Sequence, residues 1–81
     1  MTAPATERFG TRSCPYTTEL REDLVWRRIS FTEYDVERDA EARARLTRLT
    51  GTPVVVPVLV ENGRVTQVGW HGRSCAVGPP A

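Results

Sequence analysis

The residues best suited to chemistry stand together in the segment Arg12-Ser13-Cys14-Pro15-Tyr16-Thr17. Proline is favoured at the first position of a helix, where its missing N–H would have no partner. Cys14 is therefore predicted to be a helix N-cap, with its sulfur near the backbone N–H groups of Tyr16 and Thr17. The positive end of the helix dipole and the neighbouring Arg12 would stabilise a thiolate there. We expect the pKa of Cys14 to lie below the ordinary value of about 8.5, which makes the thiol a nucleophile at neutral pH.

Two plainer interpretations of Cys14 are open from the residues alone. Cys14 can be a small apolar core residue that a proline follows by chance. It can also belong to a zinc site with His71 and Cys75, although three ligands are fewer than the four of an ordinary structural site. We therefore predict no metal and interpret His71 as an exposed loop residue.

Composition and charge exclude several classes of function. The 81 residues include 11 arginines, no lysine and 10 carboxylates, for a net charge of +1. This balance predicts a protein that binds neither nucleic acid nor an anionic membrane. No apolar stretch is long enough to span a bilayer, and the first residues lack the regions of a signal peptide. Two distant cysteines do not make a disulfide scaffold, so the expected location is a reducing cytoplasm.

The apolar pattern predicts one small α/β domain over residues 1–81, with an ordered core at about 5–77 and a loose start at 1–4. Its elements follow the order strand, helix, strand, helix, strand, strand. We predict strands at 5–10, 29–36, 54–60 and 64–68, and helices at 15–28 and 40–49. Asp39 is the expected N-cap of the second helix, Gly51 its C-cap, and Asn62-Gly63 a hairpin turn. The tail after residue 68 has too much glycine and proline for a third helix.

A proline interrupts the most apolar run of the chain, at residues 54–60. Continuous β-branched residues indicate a strand that is buried on both faces, and proline removes a hydrogen bond from such a strand. One interpretation of Pro57 is a strand start or a bulge. The other is a cis bond after Val56, which would turn the Val56 backbone outward beside Cys14. Its N–H and C=O groups would then pair with an extended substrate peptide.

Two segments resemble those of glutaredoxins. Cys14-Pro15-Tyr16-Thr17 resembles their Cys-Pro-Tyr-Cys tetrad, and Val56-Pro57 followed by Gly63 resembles their Thr-Val-Pro…Gly segment. The similarity covers roughly residues 5–69. Within that superfamily the chain is most similar to the UXX-star group, which has Cys or selenocysteine first in the tetrad and Thr last. The resemblance implies a minimal thioredoxin-like fold with a four-stranded mixed sheet and no full C-terminal helix. It also implies a nucleophilic Cys14 and a cis Pro57.

Two departures from the glutaredoxin pattern concern the electron donor. Thr17 stands in place of the second cysteine, which leaves a single thiol in the tetrad. Glutaredoxins usually hold the γ-glutamyl end of glutathione with a Gly-Gly-x-Asp-Asp-like segment, whereas Gly69-Trp70-His71-Gly72-Arg73 stands here. That stretch is closer to the Trp-Ser-Gly-Phe-Arg segment of hydrogen-donor redoxins, which serve ribonucleotide reductase and take electrons from thioredoxin reductase. No cofactor is expected to be bound firmly. The co-substrate is either glutathione or another thiol reductant.

The leading hypothesis is thiol–disulfide exchange, in which the Cys14 thiolate attacks a disulfide or a glutathione mixed disulfide. The partners implied are a disulfide-containing protein or small thiol, and a reductase or low-molecular-weight thiol. The Thr17 hydroxyl either donates a hydrogen bond to the thiolate or is an ordinary helix-entry hydroxyl. Trp70 either covers the groove beside Cys14 or caps the core. The remaining binding residues are expected to be Arg12, Tyr16, Val56 and Pro57.

The second cysteine, Cys75, has two interpretations. It is either a tail thiol without a partner, or a resolving thiol on a loop that bends back across the end of the sheet. Because Thr17 has no thiol, Cys75 would attack the mixed disulfide of Cys14 and release the substrate, and Arg73 would favour its ionisation. We predict that mild oxidation forms a Cys14–Cys75 disulfide in at least part of the population.

Two further functions stay open. Cys14 could ligate an iron–sulfur cluster that two chains share with an external thiol, as in monothiol glutaredoxins. Those proteins typically carry Cys-Gly-Phe-Ser, and Tyr16 would crowd a cluster. Alternatively, the chain is a non-catalytic binding module that uses a thioredoxin-like surface.

Overall fold

Two helices and six strands form in the computed structural model, which describes residues 5–78. The helices are α1 (Pro15–Trp26) and α2 (Ala40–Thr50). The strands are β1 (Thr6–Gly10), β2 (Thr32–Asp35), β3 (Val55–Val56), β4 (Val58–Glu61), β5 (Arg64–Val68) and β6 (Cys75–Ala76). The predicted loose start at residues 1–4 lies outside the described residues.

Four of the strands make one mixed sheet in the order β2-β1-β4-β5. β1 runs parallel to β2 and antiparallel to β4, and β4 and β5 form an antiparallel hairpin. Asn62 and Gly63 connect that hairpin with positive φ angles of 53° and 78°, as a two-residue turn of this hand requires. The predicted four-stranded mixed sheet is therefore confirmed, and residues 69–78 contain no third helix.

The apolar run 54–60 is divided at Pro57, so the prediction of one continuous strand was wrong. The residues before the proline form β3, and those after it form β4. β4 lies between β1 and β5 in the main sheet, whereas β3 pairs with β6 in a separate two-stranded sheet. Proline has no N–H to donate to a ladder, and here it marks the change of partner.

The core has two parts, one on each face of the main sheet. Val58 and Val60 of β4 are fully buried on the face that α2 covers, where Phe9 and Leu46 complete the contact. Leu59 is on the opposite face and packs against Leu20 and Leu24 of α1. Helices therefore cover both sides of β4, which explains why its sequence is apolar without alternation. We call these the α2-side cluster and the α1-side cluster.

The starts of both helices were predicted correctly, and the end of the first was not. The Asp39 side chain accepts a hydrogen bond from the Ala42 N–H at 3.0 Å and caps α2 as expected. α1 ends at Trp26 rather than at residue 28, and Arg28 adopts a positive φ of 58°. β2 begins at Thr32 rather than at residue 29, because the apolar residues before it pack against the α1-side cluster without joining the ladder.

Two charged residues of β1 are held by partners on neighbouring elements. Arg45 of α2 donates to both carboxylate oxygens of Glu7, at 2.6 and 2.8 Å, and the Tyr34 hydroxyl donates to Glu7 at 2.9 Å. On the other face, Arg8 is buried and pairs with Glu33 at 2.7 Å. Charged residues that are unusual in a central strand are therefore neutralised from β2 and α2.

Within residues 5–78, neither helix has the length and apolar character needed to cross a membrane.

Candidate active site

Cys14 is the last residue of the loop that connects β1 to α1. It is buried, at 1% exposure, and its backbone is extended at the N-cap of the helix. Its carbonyl oxygen accepts hydrogen bonds from the N–H groups of Thr17 and Thr18 at 3.1 and 3.3 Å. The sulfur makes no capping hydrogen bond, contrary to the expectation that it would face the N–H groups of the first turn.

The Cys14 sulfur is bonded instead to Cys75, across 61 residues of sequence and with 6.0 Å between the two Cα atoms. The structure therefore represents the oxidised protein. Cys75 is partly buried against the α2-side cluster, to which Cys14 itself belongs. The structure pairs the same two sulfurs that the sequence analysis paired, while the resolving role of Cys75 stays a prediction.

A short hairpin brings Cys75 to this position. Trp70 and Arg73 exchange two backbone hydrogen bonds, at 2.7 and 2.9 Å, around a turn in which His71 and Gly72 have positive φ angles. The chain then runs antiparallel to β3, with Cys75 opposite Val56. This strand, β6, was not predicted, because two residues are too few to show a periodic pattern.

The backbone before Pro57 forms the other wall of the site. Val56 is fully buried, the Val56–Pro57 bond is cis, and the Val56 carbonyl oxygen lies 3.9 Å from the Cys14 sulfur. The structure thus brings together three of the residues predicted for the site: Cys14, Val56 and Pro57. The backbone of Val56, whose N–H and C=O groups were expected to pair with a substrate peptide, is paired with β6 in this structure.

Thr17 does not direct its hydroxyl to the sulfur. The side chain is buried, and its oxygen accepts a hydrogen bond from the Thr11 N–H at 3.4 Å. The end of β1 and the start of α1 are in close contact here, because a side chain at Gly10 would collide with the side chain of Thr17. The interpretation of Thr17 as a helix-entry hydroxyl is the one that this structure shows. The alternative, a hydrogen bond to the Cys14 thiolate, concerns the reduced protein and stays a prediction.

The three remaining predicted residues lie at different distances from the chemistry. Tyr16 is partly buried and packs against the α2-side cluster, which includes Cys14. Arg12 is exposed and lines a cleft of about 410 Å³ that does not include Cys14. Trp70 packs against the α1-side cluster. Of the two interpretations of Trp70, the contact with the α1-side cluster corresponds to the one in which it caps the core.

The cleft lined by Arg12 was missed in the sequence. Its charged residues include Arg8, whose burial lowers the pKa of the guanidinium while the nearby Glu33 carboxylate opposes the shift. The Nε of Arg8 has no hydrogen-bond partner among the described residues. Glu33 also accepts a hydrogen bond from Arg21 at 3.1 Å, so it joins two arginines. The available signal was the pair of charged residues, Glu7 and Arg8, in a strand that lies inside the sheet.

Residues 5–78 contain no cluster of three histidine, cysteine or acidic side chains that would hold a metal ion. His71 stands edge-on to Trp70, with 4.4 Å between the ring centroids. The two sulfurs are bonded to each other, and in this state the pair presents no thiolate to a metal.

Comparisons with known proteins agree on one kind of fold. The glutaredoxin family model matches residues 7–66. A variant of the thioredoxin-like protein BC3987 is 29% identical in sequence, with 82% of each chain covered and a TM-score of 0.71. Glutaredoxin from Archaeoglobus fulgidus is 18% identical over 82% of this chain and 75% of its own, with a TM-score of 0.67. Glutaredoxin 1 from Francisella tularensis, complexed with cacodylate, is 17% identical over 84% of this chain and 85% of its own, with a TM-score of 0.61. No curated protein matches the sequence significantly.

Proposed function

Because this chain belongs to the glutaredoxin family and is a thioredoxin-like redox protein, we propose that it is a thiol–disulfide oxidoreductase with Cys14 as the nucleophile. The disulfide between Cys14 and Cys75 is the observation that carries the proposal. It joins a buried sulfur at a helix start to a partly buried sulfur on a strand of two residues. A bond between those two positions can form and break without rearrangement of the main sheet.

The proposed cycle begins with the reduced protein. The Cys14 thiolate attacks one sulfur of a substrate disulfide, forms a mixed disulfide with it and expels the other sulfur as a thiolate. The Cys75 thiolate then attacks the Cys14 sulfur, forms the bond seen in the structure and expels the second substrate thiolate. The substrate gains two electrons, and the protein loses them. An external thiol or a reductase restores the two protein thiols.

Several residues support the first step. Cys14 stands at the N-terminus of the 12-residue helix α1, where the helix dipole favours a thiolate. Arg12 is two residues away and adds a positive charge to the same region. Tyr16 packs against the α2-side cluster, which includes Cys14, and a bound partner would contact it there. Val56 and Pro57 line the opposite side and would hold the backbone of the partner.

The partners and the location follow from the same reasoning. We propose a disulfide-containing protein or a small mixed disulfide as substrate, and glutathione, another small thiol or thioredoxin reductase as electron donor. The protein would act in the cytoplasm without nucleic acid or membrane. Within its family, we place it beside the UXX-star group, on the basis of the tetrad Cys14-Pro15-Tyr16-Thr17.

Two serine variants test the proposed cycle. We expect Cys14→Ser to abolish reduction of a small disulfide such as hydroxyethyl disulfide, because the nucleophile is lost. Cys75→Ser should still complete the first step and then accumulate the mixed disulfide, since the second thiol is missing. Non-reducing mass spectrometry identifies the adduct, and stopped-flow reduction of the oxidised wild type compares glutathione with a thioredoxin-reductase system.

Three results would contradict the proposal. Equal activity of Cys14→Ser and the wild type would remove Cys14 as nucleophile. Failure of the reduced wild type to react with any disulfide would favour a binding module without catalysis. A coloured purified protein with visible absorbance would favour an iron–sulfur cluster carrier.

A further inference from the structure

The tail of the chain occupies the strand edge beside Cys14. Cys75 lies opposite Val56 and Ala76 opposite Val55, and the Val77 N–H donates to the Val54 carbonyl oxygen at 2.9 Å. The main sheet contributes nothing to this pairing, because β3 and β6 form a sheet of their own. A free segment of similar sequence would find the same hydrogen-bonding groups on β3.

From this arrangement we propose that β6 is a built-in copy of the substrate. The partner is an extended peptide that pairs antiparallel with β3, with its cysteine opposite Val56. This inference rests on the proposed function and names its substrate class. The tail and the substrate would compete for one strand edge, so they cannot occupy it together.

The side chains of the tail indicate which peptide fits. Cys75 and Val77 are partly buried and pack against the α2-side cluster. Ala76 between them is exposed, as are Arg73 and Ser74 before them. Alternate residues of an extended strand face opposite sides, so an apolar residue two positions after the cysteine shares its face. The preferred substrate is therefore a cysteine segment of the form Cys-X-apolar, with no selection at X.

Competition for β3 couples the second chemical step to release of the substrate. While the Cys14–substrate mixed disulfide exists, the peptide is paired with β3 and β6 is displaced. When the Cys75 thiolate attacks the Cys14 sulfur, the Cys14–substrate bond breaks, the Cys14–Cys75 bond forms, and the substrate leaves as a thiolate. β6 returns to β3 in the same event and removes the backbone hydrogen bonds of the peptide. Product release is therefore a strand exchange.

Activated peptides test the strand register. The reduced Cys75→Ser variant is mixed with the peptide Gly-Arg-Ser-Cys-Ala-Val-Gly, which copies residues 72–78 and carries thionitrobenzoate on its cysteine. Attack by Cys14 on the peptide sulfur forms the mixed disulfide and releases coloured thionitrobenzoate. A second peptide is N-methylated at its valine and lacks one donor, and a third has serine in place of that valine. We expect both to react about two- to tenfold more slowly, as loss of one hydrogen bond or one apolar contact predicts.

Tail variants test the competition independently. In the Cys75→Ser background, Val77→Pro removes the donor that binds Val54, and Val77→Ala is the matched control that keeps it. We expect the proline variant to react with the copied peptide about two- to tenfold faster than the alanine variant, because the strand edge is vacant more often. Circular dichroism establishes that both variants are folded.

The outcomes separate this inference from the proposed function. If the peptides react equally, or if Val77→Pro and Val77→Ala react equally, β6 is not a copy of the substrate. The proposed function stands in that case, provided that Cys14 still reacts with dithiobis(nitrobenzoate), a small disulfide without a backbone. If Cys14 reacts with none of these disulfides, the proposed function fails together with the inference.

Discussion

The two halves of the apolar run 54–60 have nearly the same composition and contribute to the same α2-side cluster, but their backbones pair with different strands. Val58 and Val60, after the proline, lie in β4 between β1 and β5, with their side chains on the face that α2 covers. Val55 and Val56, before it, pair with the two residues of β6. Burial is similar at Val56 and Val60, both fully buried. Apolar composition therefore accounts for the burial of both segments. The strand partner decides whether the backbone N–H and C=O groups lie inside the main sheet, as in β4, or beside Cys14, as in β3.

The largest expected effect on stability concerns the disulfide that ties β6 to Cys14 at the start of α1. The Cys14–Cys75 bridge closes a loop of 61 residues, and loops of that size restrict the unfolded chain by roughly 4 kcal/mol. We expect reductant to lower the free energy of unfolding of the wild type by about that amount. Urea denaturation with and without reductant measures the difference. Cys75→Ser is the control and should be insensitive to reductant. An insensitive wild type would mean that the bridge does not stabilise the fold.

Alanine substitutions compare the two halves directly. Val60→Ala should lower the free energy of unfolding by about 2 kcal/mol, because its side chain is fully buried in β4. Val55→Ala should cost less than about 1 kcal/mol, since that side chain is only partly buried in β3. Denaturation midpoints of the oxidised variants give both values. Equal losses would show that the β3–β6 pair is as important to stability as the main sheet.

The smallest effect is a pH dependence of the main sheet. The hydrogen bonds from Arg45, helped by the one from Tyr34, hold the pKa of the Glu7 carboxyl below its usual value. A carboxyl with a lowered folded-state pKa stabilises the fold above its ordinary pKa of about 4.3, and that stability is lost as the pH falls through the folded-state pKa. We expect Glu7→Gln to remove about 1 kcal/mol of the difference in stability between pH 7 and pH 3.

The matched control for this prediction is Glu22→Gln, because Glu22 is an exposed carboxylate of α1. Its substitution should leave the pH dependence near that of the wild type. Acid denaturation followed by circular dichroism compares the three proteins. Identical curves for Glu7→Gln and the wild type would show that Glu7 contributes no net stability through its ion pair.

Local signals predicted the element order and the helix starts. Pro15 and Asp39 act within one turn of chain, and the structure places both helix starts where these residues indicated. Segment ends were less predictable, because packing decides them. Ile29 and Phe31 have strand-like character but contact the α1-side cluster outside the ladder. One interpretation of Pro57 was a strand start or a bulge, but the change of strand partner there and the existence of β6 depend on which strands meet in space, which no local pattern encodes.

The site was predictable in its residues and less so in their orientations. Cys14, Val56 and Pro57 are brought together, as the two matching segments suggested. The sequence left two orientations of Thr17 open, because the first turn alone does not show that Gly10 and Thr11 lie against its side chain. The two interpretations of Trp70 could not be separated from the sequence, since only the fold shows that the α1-side cluster lies beneath it.

The hairpin that carries Cys75 also contains a natural fluorophore. Trp70 is partly buried at the base of the turn, whereas Trp26 at the end of α1 is 85% exposed. Emission from Trp26 should be nearly constant, and emission from Trp70 should change when the hairpin leaves the protein surface. A Trp26→Phe protein would therefore have a single tryptophan, located five residues from Cys75. Opening and closing of the tail can then be followed by intrinsic fluorescence, in real time and without a label.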